Sequence, residues 1–291
     1  MTEWRQEPYV GKPQGAVTID VTEAVVQDYI QRTDDHNPWY TGDSPFGGAV
    51  APAMLLFSHS YRDIDSWYLP TRYGNLHAKQ EWWFYQPVLV GEQIVASTSI
   101  TDRYSKRDRD YLVSEVVITK EGGMLAARSR AHQSFLRDGA SGGMVVDRER
   151  KPKRTIALQP GPVLEEFGPC SRLVDQDACE RFVGDRLNYH NDKEEALKLG
   201  FPDVVVQGTQ AICVLNQLLT EHFRADWWMG GRMSVNMVNV SWVGERISAR
   251  GVVRKRQTEG SRSRAECDVW TEKDDGTITV IGSAAAAESG D

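Results

Sequence analysis

Residues 184–210 read GDRLNYHNDKEEALKLGFPDVVVQGTQ. Asp185 and His190 stand five residues apart in a polar stretch, followed by an apolar one that opens on Gly208. On one continuous helix they would point about 140° away from each other at 3.6 residues per turn. The chain between them must therefore turn if they are to share a ligand. Gly184 suits the end of a preceding helix, and Asn188 suits a turn. The segment NDKEEALKLG then reads as a short exposed helix. Asn191 or Asp192 caps it, Glu194 and Glu195 fill its first turn, and Gly200 ends it. Beyond lies an apolar helix over 209–223, where Ile212, Leu215, Leu218 and Leu219 recur at steps of three and four. Backbone N–H groups at a helix start lack intrahelical partners and carry partial positive charge. With no side chain, Gly208 lets a ligand oxygen approach them. A carboxylate, an imidazole and an oxyanion donor together suit proton transfer beside a carbonyl. A purely structural Asp–His turn fits the spacing too.

The stretch has a counterpart upstream. Asp35-His36-Asn37-Pro38-Trp39-Tyr40 resembles residues 185–190 at an offset of 150. Val90-Gly91-Glu92-Gln93-Ile94 resembles Val243-Gly244-Glu245-Arg246-Ile247 at 153, and Thr119–Gly123 resembles Thr271–Gly276 at 152 to 153. Three matches in order at nearly constant offset indicate two copies of one module of ordinary domain size. The expected division is 1–150, a linker over 151–163, and 164–291. The joint is charged, then proline-rich.

Each copy repeats one order of elements. A short helix near 22–33 or 175–184 precedes the polar turn. An apolar helix near 52–62 or 209–223 follows. Strands are then expected at 80–87, 93–102, 111–120 and 125–136, and again near 233–241, 246–256, 263–272 and 277–287. Tight-turn sequences such as Val-Gly-Glu separate them. The fold class is α+β, a helix covering one face of a curved antiparallel sheet, twice over.

Composition narrows the function. The chain has 291 residues, 40% of them hydrophobic, and a net charge of −7. That charge argues against general attraction to nucleic acid. No apolar run reaches the roughly 20 residues of a membrane span, and the polar N-terminus lacks a signal core, so a cytoplasmic location is expected. The four cysteines form no CxxC pair, which points away from zinc or a redox motif. His59, His77, His132 and His222 have no metal-ligand spacing, and no phosphate or dinucleotide loop is present. No metal or cofactor is expected. Basic runs at 148–154 and 254–264 read as a linker and a solvated hairpin, or as a landing place for a phosphate-bearing ligand. Trp82-Trp83 and Trp227-Trp228 read as packing residues, or as an aromatic wall against an acyl group.

Taken together, Asp185, His190, Gly200-Phe201-Pro202 and Gly208 resemble the second-module signature of the MaoC-like (R)-specific enoyl hydratase/dehydratase family in its double hot-dog form. The resemblance covers nearly the whole chain. It implies two modules, each a long central helix wrapped by an antiparallel sheet. It further implies that Asp185 and His190 activate one water for addition to, or elimination from, an acyl thioester. The Gly208 N–H would polarise the thioester carbonyl, with Asn188 and Asn216 as supporting residues. The substrate would be a thioester of coenzyme A or an acyl carrier protein, and a homodimer is the expected assembly. The first copy would be catalytically silent and accommodate the acyl chain, because Tyr40 stands where the histidine belongs. The sequence departs from the family's Asp-x-Asn-Pro-x-His: asparagine has moved one place to Asn188 and proline is missing. Gln207 stands where histidine often precedes the helix glycine. A hot-dog thioesterase and a non-catalytic acyl-thioester-binding subunit are the competing readings.

Overall fold

The computed structural model describes residues 8–55, 73–136, 156, 158, 160–259 and 262–288. Strands β1 (Pro13–Asp20), β2 (Tyr73–Phe84), β3 (Gln93–Lys106), β4 (Arg109–Lys120) and β5 (Leu125–Leu136) belong to the first module. Strands β6 (Glu165–Val174), β7 (Arg232–Met237), β8 (Glu245–Glu259), β9 (Arg262–Lys273) and β10 (Ile278–Glu288) belong to the second. Among the described residues they form one sheet in the order β1-β3-β4-β5-β2-β7-β10-β9-β8-β6. The two halves of this order mirror each other. They join where β2 pairs antiparallel with β7, from Lys79↔Asn236 to Trp83↔Arg232.

The repeated Val-Gly-Glu has a physical reason. Gly91 and Gly244 adopt φ of 95° and 84°, which glycine reaches without strain. Each donates its N–H across to the residue after or at the end of an edge strand: Gly91 to Val21 O at 2.8 Å and Gly244 to Val174 O at 2.7 Å. The following glutamate accepts a turn N–H, Leu89 at 2.7 Å in one copy and Trp242 at 2.8 Å in the other. The same carboxylates pair with Lys120 at 2.7 Å and Lys273 at 2.8 Å. One set of bonds thus closes the same turn twice.

Helix α1 (Glu23–Thr33) is capped by Thr22, α2 (Gln176–Val183) by Asp175 and α3 (Lys193–Lys198) by Asp192. Helix α4 (Gly208–Phe223) is the 16-residue helix expected in the second copy. It is buried on nearly every side and packs on β6, β8, β9 and β10. Ile212, Leu215, Leu218 and Leu219 are all buried, each stabilising the fold by roughly 1.5–3 kcal/mol relative to exposure. A short helix α5 (Ala225–Trp228) follows. Most of the helix expected near 52–62, and much of the expected linker, lie outside the described residues. Ile156 and Leu158, from that linker, pack against Val252, Trp270 and Ile278.

One apolar core runs through both modules, from Val21, Ile30 and Ile118 to Leu215, Val253 and Val280. Trp82, Trp227 and Trp228 are buried within it. Sheet packing is closest at Gly282, paired with Val235. A Cβ there would clash with Ser234 O and lie 2.7 Å from Val235 Cα. Both are backbone of β7, which cannot yield without opening the β7–β10 pairing. Gly282→Ala is therefore expected to destabilise the chain by about 2–4 kcal/mol, read as a lower urea midpoint. An unchanged midpoint would show that the sheet opens there freely.

Candidate active site

The turn after α2 is built from asparagines. Asn188 Oδ1 accepts the His190 N–H at 2.8 Å. Asn191, only 4% exposed, accepts the Asn188 N–H at 2.8 Å and donates to Gly184 O and Arg186 O, each at 3.2 Å. The candidate cap Asn191 thus closes the turn, while Asp192 caps α3 by accepting from Glu195 N at 2.8 Å. Residue 205 anchors the far side: its N–H donates to Tyr189 O at 3.1 Å, and its carbonyl accepts from His190 Nδ1 at 2.8 Å.

That last bond sets the imidazole's tautomer. A carbonyl only accepts, so Nδ1 carries the proton and Nε2 keeps its lone pair. Burial lowers the His190 pKa from 6.5 to about 4, against the opposing pull of the Val205 carbonyl. His190 is therefore a neutral base at neutral pH. If it acts as the base, the acid limb of kcat/KM is expected near pH 4 rather than near 6.5. Stability follows the same sign. Between these pH values the unfolded chain takes up a proton that the folded chain refuses. The stabilisation is therefore complete above about 6.5 and is lost as pH falls through 4. A pH–rate profile beside pH-dependent melts checks both, and a limb near 6.5 contradicts the lowered pKa.

His190 lines a cleft of about 1550 Å3 together with Asn188, Gly208 and Met237 of the second module and Tyr29 and Arg32 of the first. Gly208 is the first residue of α4, and Gln207 makes no side-chain cap there. A Cβ on Gly208 would lie 2.5 Å from Met237 Sδ, so a side chain here must push the thioether aside. The structure thus brings His190, Asn188 and Gly208 onto one cleft. Asp185 stands apart: its residue is exposed, and it is not among the residues lining the cleft. Asn216 is fully buried and accepts from Trp227 Nε1 at 2.9 Å, which ties α4 to α5 rather than facing the cleft.

The first copy shows what the missing proline changes. There Asn37 caps the Trp39 N–H at 2.9 Å and Pro38 opens a 3-10 turn. Tyr40 OH donates to Asp35 Oδ2 at 2.9 Å, so residues five apart do meet. Both are buried, and burial raises Asp35 to about 6. Val50 N–H donates to Trp39 O at 2.9 Å, as Val205 does to Tyr189 O, which aligns residue 39 with 189 and 40 with 190. In that frame the asparagine turn of the second copy sits one residue later. His190, not the residue before it, receives the asparagine bond, and Asp185 stays outside.

Of the remaining histidines, His77 and His132 also line the cleft. His132 lies between Glu81 at 3.0 Å and Tyr104 at 3.1 Å, and His222 stacks on Phe167 at 3.9 Å. His59 lies outside the described residues. No cluster of potential metal ligands occurs among the described residues. In the basic hairpin, Arg254 pairs with Asp268 at 2.8 Å and Arg256 with Glu288 at 2.9 Å. No described helix is long and apolar enough to cross a membrane.

The class is that of a double hot-dog protein. Residues 9–128 match the family model of the FAS1-like dehydratase domain region. No curated protein matches the chain by sequence. Among solved structures, a MaoC-like dehydratase superposes with a TM-score of 0.70 at 14% identity, over 96% of this chain and 98% of its own. A MaoC-like dehydratase from Phytophthora capsici gives 0.69 at 16%, over 97% and 98%. A Mycobacterium tuberculosis protein described as having a double hotdog fold gives 0.57 at 10%, over 96% of each chain. The family model spans the first part of the chain, and the solved structures share its fold at 10–16% identity.

Proposed function

We propose that this chain adds water to a 2-enoyl thioester or removes it from a 3-hydroxyacyl thioester of coenzyme A or an acyl carrier protein. The observation that carries the reading is one cleft holding a neutral imidazole with a free Nε2 lone pair and a helix start opened by glycine. In hydration His190 would take a proton from water as the oxygen bonds to C3, and the protonated ring would then deliver that proton to C2 of the enolate; dehydration runs the same steps in reverse. The Gly208 N–H would stabilise the carbonyl oxygen as it becomes an enolate. Asp185 is the carboxylate partner that the family resemblance assigns. Its exposed position gives it a smaller expected share: Asp185→Asn should retain at least about tenfold more activity than His190→Ala, within the 10²–10⁴ range of general acid–base effects. The test is hydration of short and long enoyl-CoA substrates by wild type and both variants. No hydration by wild type across the series overturns the reading.

The exposure of Asp185 favours one alternative, an acyl-thioester-binding subunit without turnover. Tight acyl-CoA binding with no hydration by wild type would select it.

A further inference from the structure

The first module reaches into the turn that carries His190. Arg32 lies in the last turn of α1, its side chain 17% exposed, with Nε on Asp28 Oδ2 at 2.8 Å. Its Nη1 donates to Phe182 O at 3.2 Å, near the C-terminal end of α2. A cation there is favoured by the unsatisfied carbonyls and the negative end of the helix dipole. The same guanidinium lies against Gly184. A Cβ on Gly184 would come within 3.1 Å of Nη1 and 3.4 Å of Nη2. Gly184 also has φ of 82°, a backbone that favours glycine immediately before Asp185, and any side chain there would press on the guanidinium.

The 184–191 turn is therefore gripped from two sides. Asn191 ties Gly184 O and Arg186 O from within the second module. Arg32 holds the residues just before Asp185 from the first. A mirrored bond exists, from Arg181 Nε to Gln31 O at 3.2 Å, but it is exposed and touches no part of the turn. The repeat thus builds the same cross-module contact twice, and only one of the two bears on the site.

We infer that Arg32 is a positioning residue, contributed by the first module, that fixes the turn presenting His190 to the cleft. The inference rests on the proposed function only for its kinetic readout. Arg32 acts by holding backbone, so its loss should misplace the imidazole and lower kcat; because its side chain also lines the cleft, an effect confined to KM would mark a substrate contact and overturn the positioning role. A misplacement of about 1 Å can cost as much as 10²-fold in rate.

The experiment compares Arg32→Met, which keeps an apolar stem, with Arg32→Lys and with Arg181→Met as the mirrored control. The first readout is the His190 Cε1–H chemical shift and its titration by NMR. Arg32→Met is expected to move both, Arg32→Lys to move them less, and Arg181→Met to leave them at the wild-type position. The second readout is hydration of an enoyl-CoA. Arg32→Met is expected to lower kcat by about tenfold or more with KM within twofold, and Arg181→Met to leave both unchanged. A structural role alone would lower the melting temperature and leave kcat per folded molecule and the His190 signal unmoved. An unmoved His190 signal in Arg32→Met overturns the inference, whether or not wild type hydrates enoyl-CoA. Absence of wild-type hydration with a moved signal overturns the proposed reaction alone.

Discussion

Replacing His190 with alanine is expected to lower kcat/KM for enoyl-CoA hydration by about a thousandfold, near 4 kcal/mol of transition-state stabilisation. The ring's Nδ1 is committed to the Val205 carbonyl at 2.8 Å, so Nε2 is its one basic atom. Alanine removes that atom and also leaves a buried carbonyl without its donor, which costs stability. His190→Gln separates the two effects. A glutamine amide can donate to Val205 O but offers no base of comparable strength. It should recover most of the melting temperature and little of the activity. Steady-state kinetics with thermal melts on both variants decide the matter. Retention of more than a tenth of wild-type kcat/KM by either would remove His190 from the chemistry.

The fold was readable because its repeat is written in turns. Val-Gly-Glu recurs since the same glycine φ and the same glutamate bonds close both copies. The periodicity over 209–223 reported α4 within a residue, because a helix buried nearly all round demands apolar side chains at regular steps. Edge strands β1 and β6 escaped for a related reason. Their side chains are largely exposed, and glycine or proline interrupts them, so neither carries the alternation by which a half-buried strand is recognised. Both lie at the same place in the repeat, just before the short helix.

The site was legible in its residues and not in its geometry. Asp185, His190 and Gly208 follow from a spacing and a resemblance. The exposure of Asp185 depends on where an asparagine sits relative to a frame set by residues 39 and 189. The first copy keeps Asn37-Pro38 and brings its aspartate onto Tyr40; the second, with Asn188 one place later, does not. Asn191 carries a three-bond role that no motif announces, since asparagine before a helix reads equally well as a cap. Arg32 lies 152 residues from Gly184, a contact that only the pairing of the two modules creates. Met237 is invisible for the same reason: nothing near it in sequence tells that it covers the start of α4.

Gly208→Ala is the second change with a large expected effect, and here activity and stability should part. Alanine is favoured over glycine in a helix by about 1 kcal/mol, and the residue begins α4 in helical conformation. The new Cβ, however, would stand 2.5 Å from Met237 Sδ. A thioether end can swing aside, so overpacking should cost no more than about 1–3 kcal/mol, partly offset by the helix preference. The cleft has less freedom. Met237 and Gly208 both line it, and a displaced thioether or the methyl itself keeps a carbonyl oxygen off the helix-start N–H groups. Loss of one such donor costs about 10²–10³ in kcat, so Gly208→Ala should fall in that range while its melting temperature shifts by only a few degrees. Adding Met237→Ala distinguishes the two causes. If the thioether is the obstacle, the double variant regains most of its kcat. If the methyl blocks the carbonyl, kcat stays low although the crowding is gone, and the second outcome is expected because the oxyanion must approach the backbone of residue 208 itself. Wild-type kcat in the single variant would show that the start of α4 does not hold the carbonyl.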